Sequence, residues 1–112
     1  MDKQLATTLF ESLSSGIRLD IFRLLVKHAP SGLVAGEIST ALALPATNVS
    51  FHLKAMSHAG LISVTQEGRY QRYRANLSLM QALIDYLTAE CCTGSPERCF
   101  DTPKASVCCD TD

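Results

Sequence analysis

The stretch from Pro45 to Leu61 constrains the fold of this chain more than any other. Proline suits the first turn of a helix, because the N–H that it lacks would have no intrahelical partner there. Gly60 suits the end of the helix, where a left-handed backbone conformation brings no Cβ clash. Between them, Val49, Leu53 and Met56 repeat at i, i+4 and i+7 as one apolar stripe. The pattern predicts an amphipathic helix packed on one side against a core.

The opposite face of this helix is small, polar and lightly cationic, and it includes one aromatic ring. At about 100° per residue this face contains Thr47, Ser50, Phe51, Lys54 and His58. Hydroxyl groups and a cation on a helix that is held from behind suit the base edges of a DNA major groove. Any amphipathic helix has the same periodicity, so the neighbouring segments must decide its role.

Three further helices are predicted before this stretch, at about residues 5–13, 17–28 and 34–42. Ser14 or Ser15 can cap the second of them, and the sequence Pro30-Ser31-Gly32 ends it. The turn Ala43-Leu44-Pro45 joins the third helix directly to the next one. Two helices joined by so short a turn form a helix-turn-helix.

The repeat of apolar residues changes after Gly60 from a helical pattern to one typical of strands. Residues 61–65 are rich in β-branched side chains and predict a strand, residues 66–68 a turn, and residues 69–74 a return strand. A hairpin that directly follows a DNA-recognition helix in the chain, as this one follows the helix predicted from Pro45, is called a wing. Asn76 or Ser78 then caps a long last helix that Gly94 and Pro96 end. We therefore expect a mainly α (α+β) winged helix-turn-helix, with about five helices and a two-stranded β-hairpin wing, over residues 1–92, and a flexible cysteine-rich tail over residues 93–112.

The apolar stripe of the last helix exceeds what a small core needs. A homodimer through the first and last helices would cover it. The predicted interface residues are Leu5, Leu9, Leu79, Leu83 and Leu87.

The charge of the chain is divided along its length. The net charge is −1, but residues 45–76 have four cations against one carboxylate, and residues 90–112 have two cations against five carboxylates. A basic middle is compatible with a local DNA footprint, and ordinary scatter of surface charge is the alternative. No long apolar run follows Met1, so we expect no signal peptide, no membrane span and a cytoplasmic protein. The sequence contains no glycine-rich phosphate loop and no paired carboxylates, so we do not expect an enzyme.

The segment from Val49 to Ile62 has the motifs Ser-x-His-Leu and Ala-Gly-Leu, and Glu67-Gly68-Arg69 and Tyr73 follow it. This pattern resembles the ArsR/SmtB family over residues 5–92. The resemblance implies a bacterial winged-helix repressor that binds a double-stranded operator as a homodimer and leaves it when a metal or metalloid binds. It also implies that Ser50 and His52 face the operator and that Arg69 lies in the wing. The helical wheel places His52 at the flank of the core stripe, which is equally compatible with packing. The DNA-binding residues predicted are Thr47, Asn48, Ser50, Phe51, His52, Lys54, Arg69 and Arg72.

Five cysteines lie within the last 22 residues of the chain: Cys91, Cys92, Cys99, Cys108 and Cys109. In a cytoplasmic protein they are expected to be thiols, and soft thiolates select soft ions. Trivalent arsenic has a lone pair and takes three sulfur ligands in a pyramid. The six residues between Cys92 and Cys99 are enough to fold Cys99 back at little entropic cost.

The resemblance narrows the choice of ligand. Residues 34–38 contain no cysteine, and Asp85 has no histidine partners, so two metal sites known in the family are not expected here. Family members with cysteine-rich tails respond to arsenite. We therefore predict arsenite or antimonite as the inducer, bound by Cys91, Cys92 and Cys99, with Cys108 and Cys109 dispensable. The alternatives are a zinc- or cadmium-responsive repressor, a thiol redox switch, and a thiol-rich sequestering module that binds no DNA.

Overall fold

The computed structural model describes residues 1–90, which form five helices and three strands. The predicted winged helix-turn-helix is confirmed. The elements in chain order are α1 (Lys3–Leu13), α2 (Gly16–Lys27), β1 (Leu33–Val34), α3 (Ala35–Leu42), α4 (Ala46–Ala59), β2 (Ile62–Glu67), β3 (Tyr70–Ala75) and α5 (Leu77–Leu87).

The sheet has one strand more than the sequence predicted. Its order is β1-β3-β2, with both pairs antiparallel, and Tyr73 of β3 lies opposite Leu33 on one side and Val64 on the other. The prediction assigned Val34 to the start of α3. Instead Val34 is extended, with φ −88° and ψ 161°, and its N–H donates to the Glu37 carboxylate across the first turn of α3. A strand of two residues is too short to show a period-2 pattern.

The core confirms the apolar stripe from which α4 was predicted. Val49, Leu53 and Met56 are completely buried. Around them lie buried side chains from every other helix and from the start of β2: Leu9, Ile21, Leu25, Ile38, Ile62 and Leu83. The core therefore contacts the apolar face of α4 from Val49 to Met56.

Local signals set the ends of the helices. The Ser15 hydroxyl accepts from the Arg18 N–H and caps α2, and Gly60 ends α4 with φ +89°. Asn76 caps α5 through the Leu79 N–H, at 3.2 Å. Its amide also donates to the Gly60 carbonyl at 3.0 Å, so one side chain joins the end of α4 to the start of α5.

Helix α5 is shorter than predicted: it ends at Leu87, whereas the sequence predicted an end near Gly94. Both the backbone N–H and the hydroxyl of Thr88 donate to the Ile84 carbonyl, at 3.1 and 3.0 Å. The apolar repeat also stops at Leu87, so nothing in the pattern favours a further turn. The predicted tail, residues 93–112, and the cysteines lie outside the described residues. Over residues 1–90, none of the helices combines the length and the apolar character needed to cross a membrane.

Candidate nucleic-acid interface

The outer face of α4 is exposed and polar, as predicted. Thr47, Asn48, Ser50 and Lys54 are all exposed, and the Phe51 side chain is 65% exposed. Because the core side of the helix is completely buried, the position of this face is fixed relative to the domain. The structure thus presents these five side chains together on one rigid surface.

Two grooves border both α4 and the hairpin of β2 and β3, which we call the wing. One has a volume of about 460 Å³ and lies mainly between residues 34–36 and the wing, where its walls include Arg69 and Tyr70, and Ser50 is its α4 residue. The other, of about 400 Å³, lies between Lys54 on α4 and Gln71 on the wing, and Ser50 also borders it. Within residues 1–90, no carboxylate lines either groove. Hydroxyl, amide and cationic groups without a competing acid are suited to phosphates and base edges.

Arg69 lies in the turn of the wing beside Gly68, which has φ +59°. Its side chain is exposed, and in the part of the chain that the structure describes it makes no hydrogen bond or ion pair. Its predicted contact with a phosphate therefore remains compatible with the geometry. Tyr70 next to it is 64% exposed, and sequence reasoning gave it no role.

Arg72 differs from Arg69, because its donors are already used within the fold. Its Nε donates to Glu67 Oε1 at 2.9 Å and its Nη1 to the Gly32 carbonyl at 3.1 Å. The hydrogen bond with Glu67 raises the pKa of Arg72 above its ordinary value. The predicted DNA contact of Arg72 stays a prediction: in this structure its side chain is half-buried and links the wing to the loop before β1.

Arg74 makes a second fastening of the same kind. Its Nε donates to the Pro30 carbonyl and its Nη1 to Thr65 Oγ1, both at 3.0 Å, and its Nη2 lies 3.9 Å from Glu67 Oε2. These partners lie far away in sequence or on the neighbouring strand. Nothing in the local pattern of residues 69–74 indicates these partners, so the sequence analysis counted Arg74 only among the cations of the basic middle of the chain and Arg72 among the DNA-binding residues.

His52 is half-buried between α4 and α2. Its Nδ1 accepts a hydrogen bond of 3.1 Å from Arg18 Nε, and its ring meets Phe51 edge-on, with centroids 5.4 Å apart and an angle of 72°. Burial, and secondly the charge of Arg18, lowers the pKa of His52. A neutral ring that accepts from Arg18 favours the packing alternative for His52. Arg18 is not among the residues that the sequence analysis singled out, so this pair was missed.

The predicted dimer residues divide into three groups by burial. Leu9 and Leu83 are already buried in a single chain, so they have almost no surface to offer a partner. Leu5 and Leu79 are half-buried against the core. Leu87 is 57% exposed. The large apolar side chains that α1 and α5 leave exposed are Phe10, Leu77, Ile84, Tyr86 and Leu87. We call three of them, Phe10, Ile84 and Leu87, the apolar seam.

The predicted arsenic ligands Cys91, Cys92 and Cys99, together with Cys108 and Cys109, lie outside the described residues. In residues 1–90, no three histidine, cysteine, aspartate or glutamate side chains are placed to share a metal ion. The cysteine site accordingly stays a prediction from the sequence.

Comparison with known proteins agrees with this geometry. A helix-turn-helix domain family matches residues 13–65, from the end of α1 into β2. Comparison with curated proteins gives no match. Among solved structures, the chain is similar to an ArsR-like transcriptional regulator from Rhodococcus sp. RHA1, with TM-score 0.69 and 24% identity over 77% of this chain and 78% of that one.

Two further solved structures are similar at slightly higher identity. One is HlyU from Vibrio cholerae, with TM-score 0.64 and 26% identity over 82% of this chain and 99% of that one. The other is the homodimeric winged helix-turn-helix DNA-binding domain of a possible ArsR-family transcriptional regulator from Mycobacterium bovis, with TM-score 0.61 and 27% identity over 80% and 82% of the two chains. The chain thus has a helix-turn-helix domain and shares its winged fold with regulators of the ArsR family.

Proposed function

We propose that this winged-helix regulator is a transcriptional repressor that binds operator DNA as a homodimer and is released by trivalent arsenic. The observation that carries the DNA-binding part is the exposed polar face of α4 beside the wing. Across residues 1–90, the grooves between α4 and the wing present hydroxyls, amides and cations and no acid. In the proposed complex α4 enters the major groove, and Arg69 contacts the phosphate backbone beside it.

Homodimerisation is supported by the apolar seam of Phe10, Ile84 and Leu87. Covering this seam with a second copy would also pair two α4 helices for successive major grooves, one DNA turn apart. Leu87→Glu should give monomers by light scattering that are folded by circular dichroism. These monomers should bind the operator weakly in the duplex titration described below. Leu83→Glu is the matched control: it buries a charge in the core and should unfold the chain. A folded Leu87→Glu protein that remains dimeric would place the interface elsewhere.

Arsenic as effector rests on the sequence. Cys91 and Cys92 follow Leu87, the last residue of α5, by four and five positions, and Cys99 is near enough to complete three thiolate ligands. Because Cys91 and Cys92 follow α5 closely in the sequence, ligand binding to them is proposed to alter the dimer contact of α5 and so the spacing of the two α4 helices. A coupling free energy of about 1–3 kcal/mol between ligand and operator is typical of such linkage.

The proposal is tested by titrating a labelled duplex, selected from a random pool, with the full-length chain. We expect tight binding, and release on addition of arsenite or antimonite under reducing conditions. Cys91→Ser, Cys92→Ser or Cys99→Ser should abolish release without changing operator affinity, and Cys108→Ser is the matched control that should still respond. Release by peroxide but not by arsenite would contradict the arsenic assignment and favour a redox switch, and release by zinc or cadmium alone would favour a zinc- or cadmium-responsive repressor. Absence of DNA binding would contradict the whole proposal.

A further inference from the structure

Phe51 is the one large apolar side chain on the exposed face of α4, and packing in the core does not explain it. At 65% exposure it is the most exposed large apolar side chain of residues 1–90. It lies two positions before the buried Leu53, or about 200° around the helix, so it points away from the core. The part of the phenyl ring that is exposed to water contributes no hydrophobic stabilisation to the domain.

The ring is held in place. It packs edge-on against His52, at 5.4 Å between centroids, and His52 accepts the hydrogen bond from Arg18 on α2. An edge-on aromatic contact of this kind stabilises a defined ring orientation. Phe51 is therefore a pre-organised apolar contact, and Arg18 and His52 are its positioning residues.

The surroundings of the ring are polar. Its neighbours on the helix surface are Thr47, Asn48 and Lys54, at i−4, i−3 and i+3, and all three are exposed. These side chains can hydrogen-bond base edges and phosphates, and a phenyl ring cannot. The apolar group that an unmodified base pair offers in the major groove is the C5-methyl group of thymine.

The geometry points to Phe51 as a specificity-determining residue that contacts a thymine methyl group in each half-site of the operator. This inference rests on the proposed function, because it requires α4 to enter the major groove. It adds the chemical identity of one base that the protein reads.

The test replaces each thymine of the selected duplex by deoxyuridine, one position at a time. This substitution removes only the methyl group and keeps the base pair. We expect one position in each half-site at which the dissociation constant rises about fourfold, the effect of one buried methyl group. In Phe51→Ala the same substitution should have almost no effect, because its contact is already lost. Phe51 is exposed, so the variant should fold normally.

Leu19→Ala is the matched control, since Leu19 is an exposed apolar residue on α2 and should leave the deoxyuridine effect unchanged. Arg18→Gln should reduce the preference for thymine over deoxyuridine while leaving affinity for non-specific DNA unchanged. The inference is overturned if the wild type binds the duplex tightly but no deoxyuridine position matters, or if the effect persists in Phe51→Ala. In both cases DNA binding itself would stand. If the protein selects and binds no duplex, the proposed function fails and the inference fails with it.

Discussion

Helix α4 and the wing are neighbouring surface elements that are held to the domain in opposite ways. The helix buries an entire apolar stripe, so its polar face is not needed for folding. In β2 only Ile62 is buried, and no residue of β3 is fully buried. The wing packs on the core through Ile62 and the half-buried Tyr73 and Ala75, and polar contacts supplement this packing. Arg72 and Arg74 supply the polar contacts, to Glu67 and to the carbonyl groups of Pro30 and Gly32.

The difference shows that a surface cation has its hydrogen-bond donors free for DNA when core packing, and not the cation itself, attaches its helix or strand to the domain. Lys54 lies on an element that the core holds. Arg69 lies in a turn, outside the strands that need fastening. Arg72 and Arg74 are the fasteners themselves. Under the proposed function, the four cations of this stretch divide into two pairs: Lys54 and Arg69 would contact DNA, and Arg72 and Arg74 hold the wing.

The largest expected effect tests the attachment of the wing at Gly32. Gly32 has φ +78°, and a Cβ there would overlap the Tyr73 carbonyl oxygen and lie 2.7 Å from Arg74 Cγ. Gly32→Ala should lower the free energy of unfolding by about 3 kcal/mol, because strain and a backbone clash combine. Gly68→Ala is the control: its φ is +59° with open space around it, so only about 1 kcal/mol should be lost. Equal losses in urea denaturation would mean that the wing does not pack closely on this loop.

A smaller effect is expected at Asn76, on the helix side of the comparison. Asn76→Ala removes the cap of α5 and the hydrogen bond to Gly60, and should destabilise the chain by about 1–2 kcal/mol. Asn76→Asp keeps the capping oxygen and loses the donor, so it should be less harmful. If Asn76→Asp were as damaging as Asn76→Ala in urea denaturation, the link to Gly60 and not the cap would be the important contact.

Sequence reasoning succeeded where the signal is local and failed where it is not. Residues close together in the sequence determine the apolar stripe of α4, its end at Gly60 and the capping of α5 by Asn76. The partners of Arg72 and Arg74 across the loop are 40 and 44 positions away, and a single sequence contains no sign of them. Burial of Leu83 was missed for the same reason, since periodicity gives the apolar face of a helix but not what covers it.

The smallest predicted effect is the pH dependence of His52. The folded state lowers the pKa of His52 below the ordinary 6.5, so the unfolded chain takes up the proton first as pH falls. Stability contributed here is complete above pH 6.5 and is lost progressively as pH falls below it. His52→Gln should flatten this part of the curve of unfolding free energy against pH. An unchanged curve would show that burial of the ring and the charge of Arg18 do not lower the pKa of His52 in solution.

The most direct test of the division between contacting and fastening cations compares Arg69→Ala with Arg72→Ala. For each variant, the salt dependence of DNA affinity and the free energy of unfolding are measured together. Arg69→Ala should reduce the slope of log K against log salt concentration by about 1 per protomer and leave stability unchanged. Arg72→Ala should keep the slope and lose about 1–2 kcal/mol of stability. A reduced slope with full stability in Arg72→Ala would contradict the account, and so would an unchanged slope in Arg69→Ala.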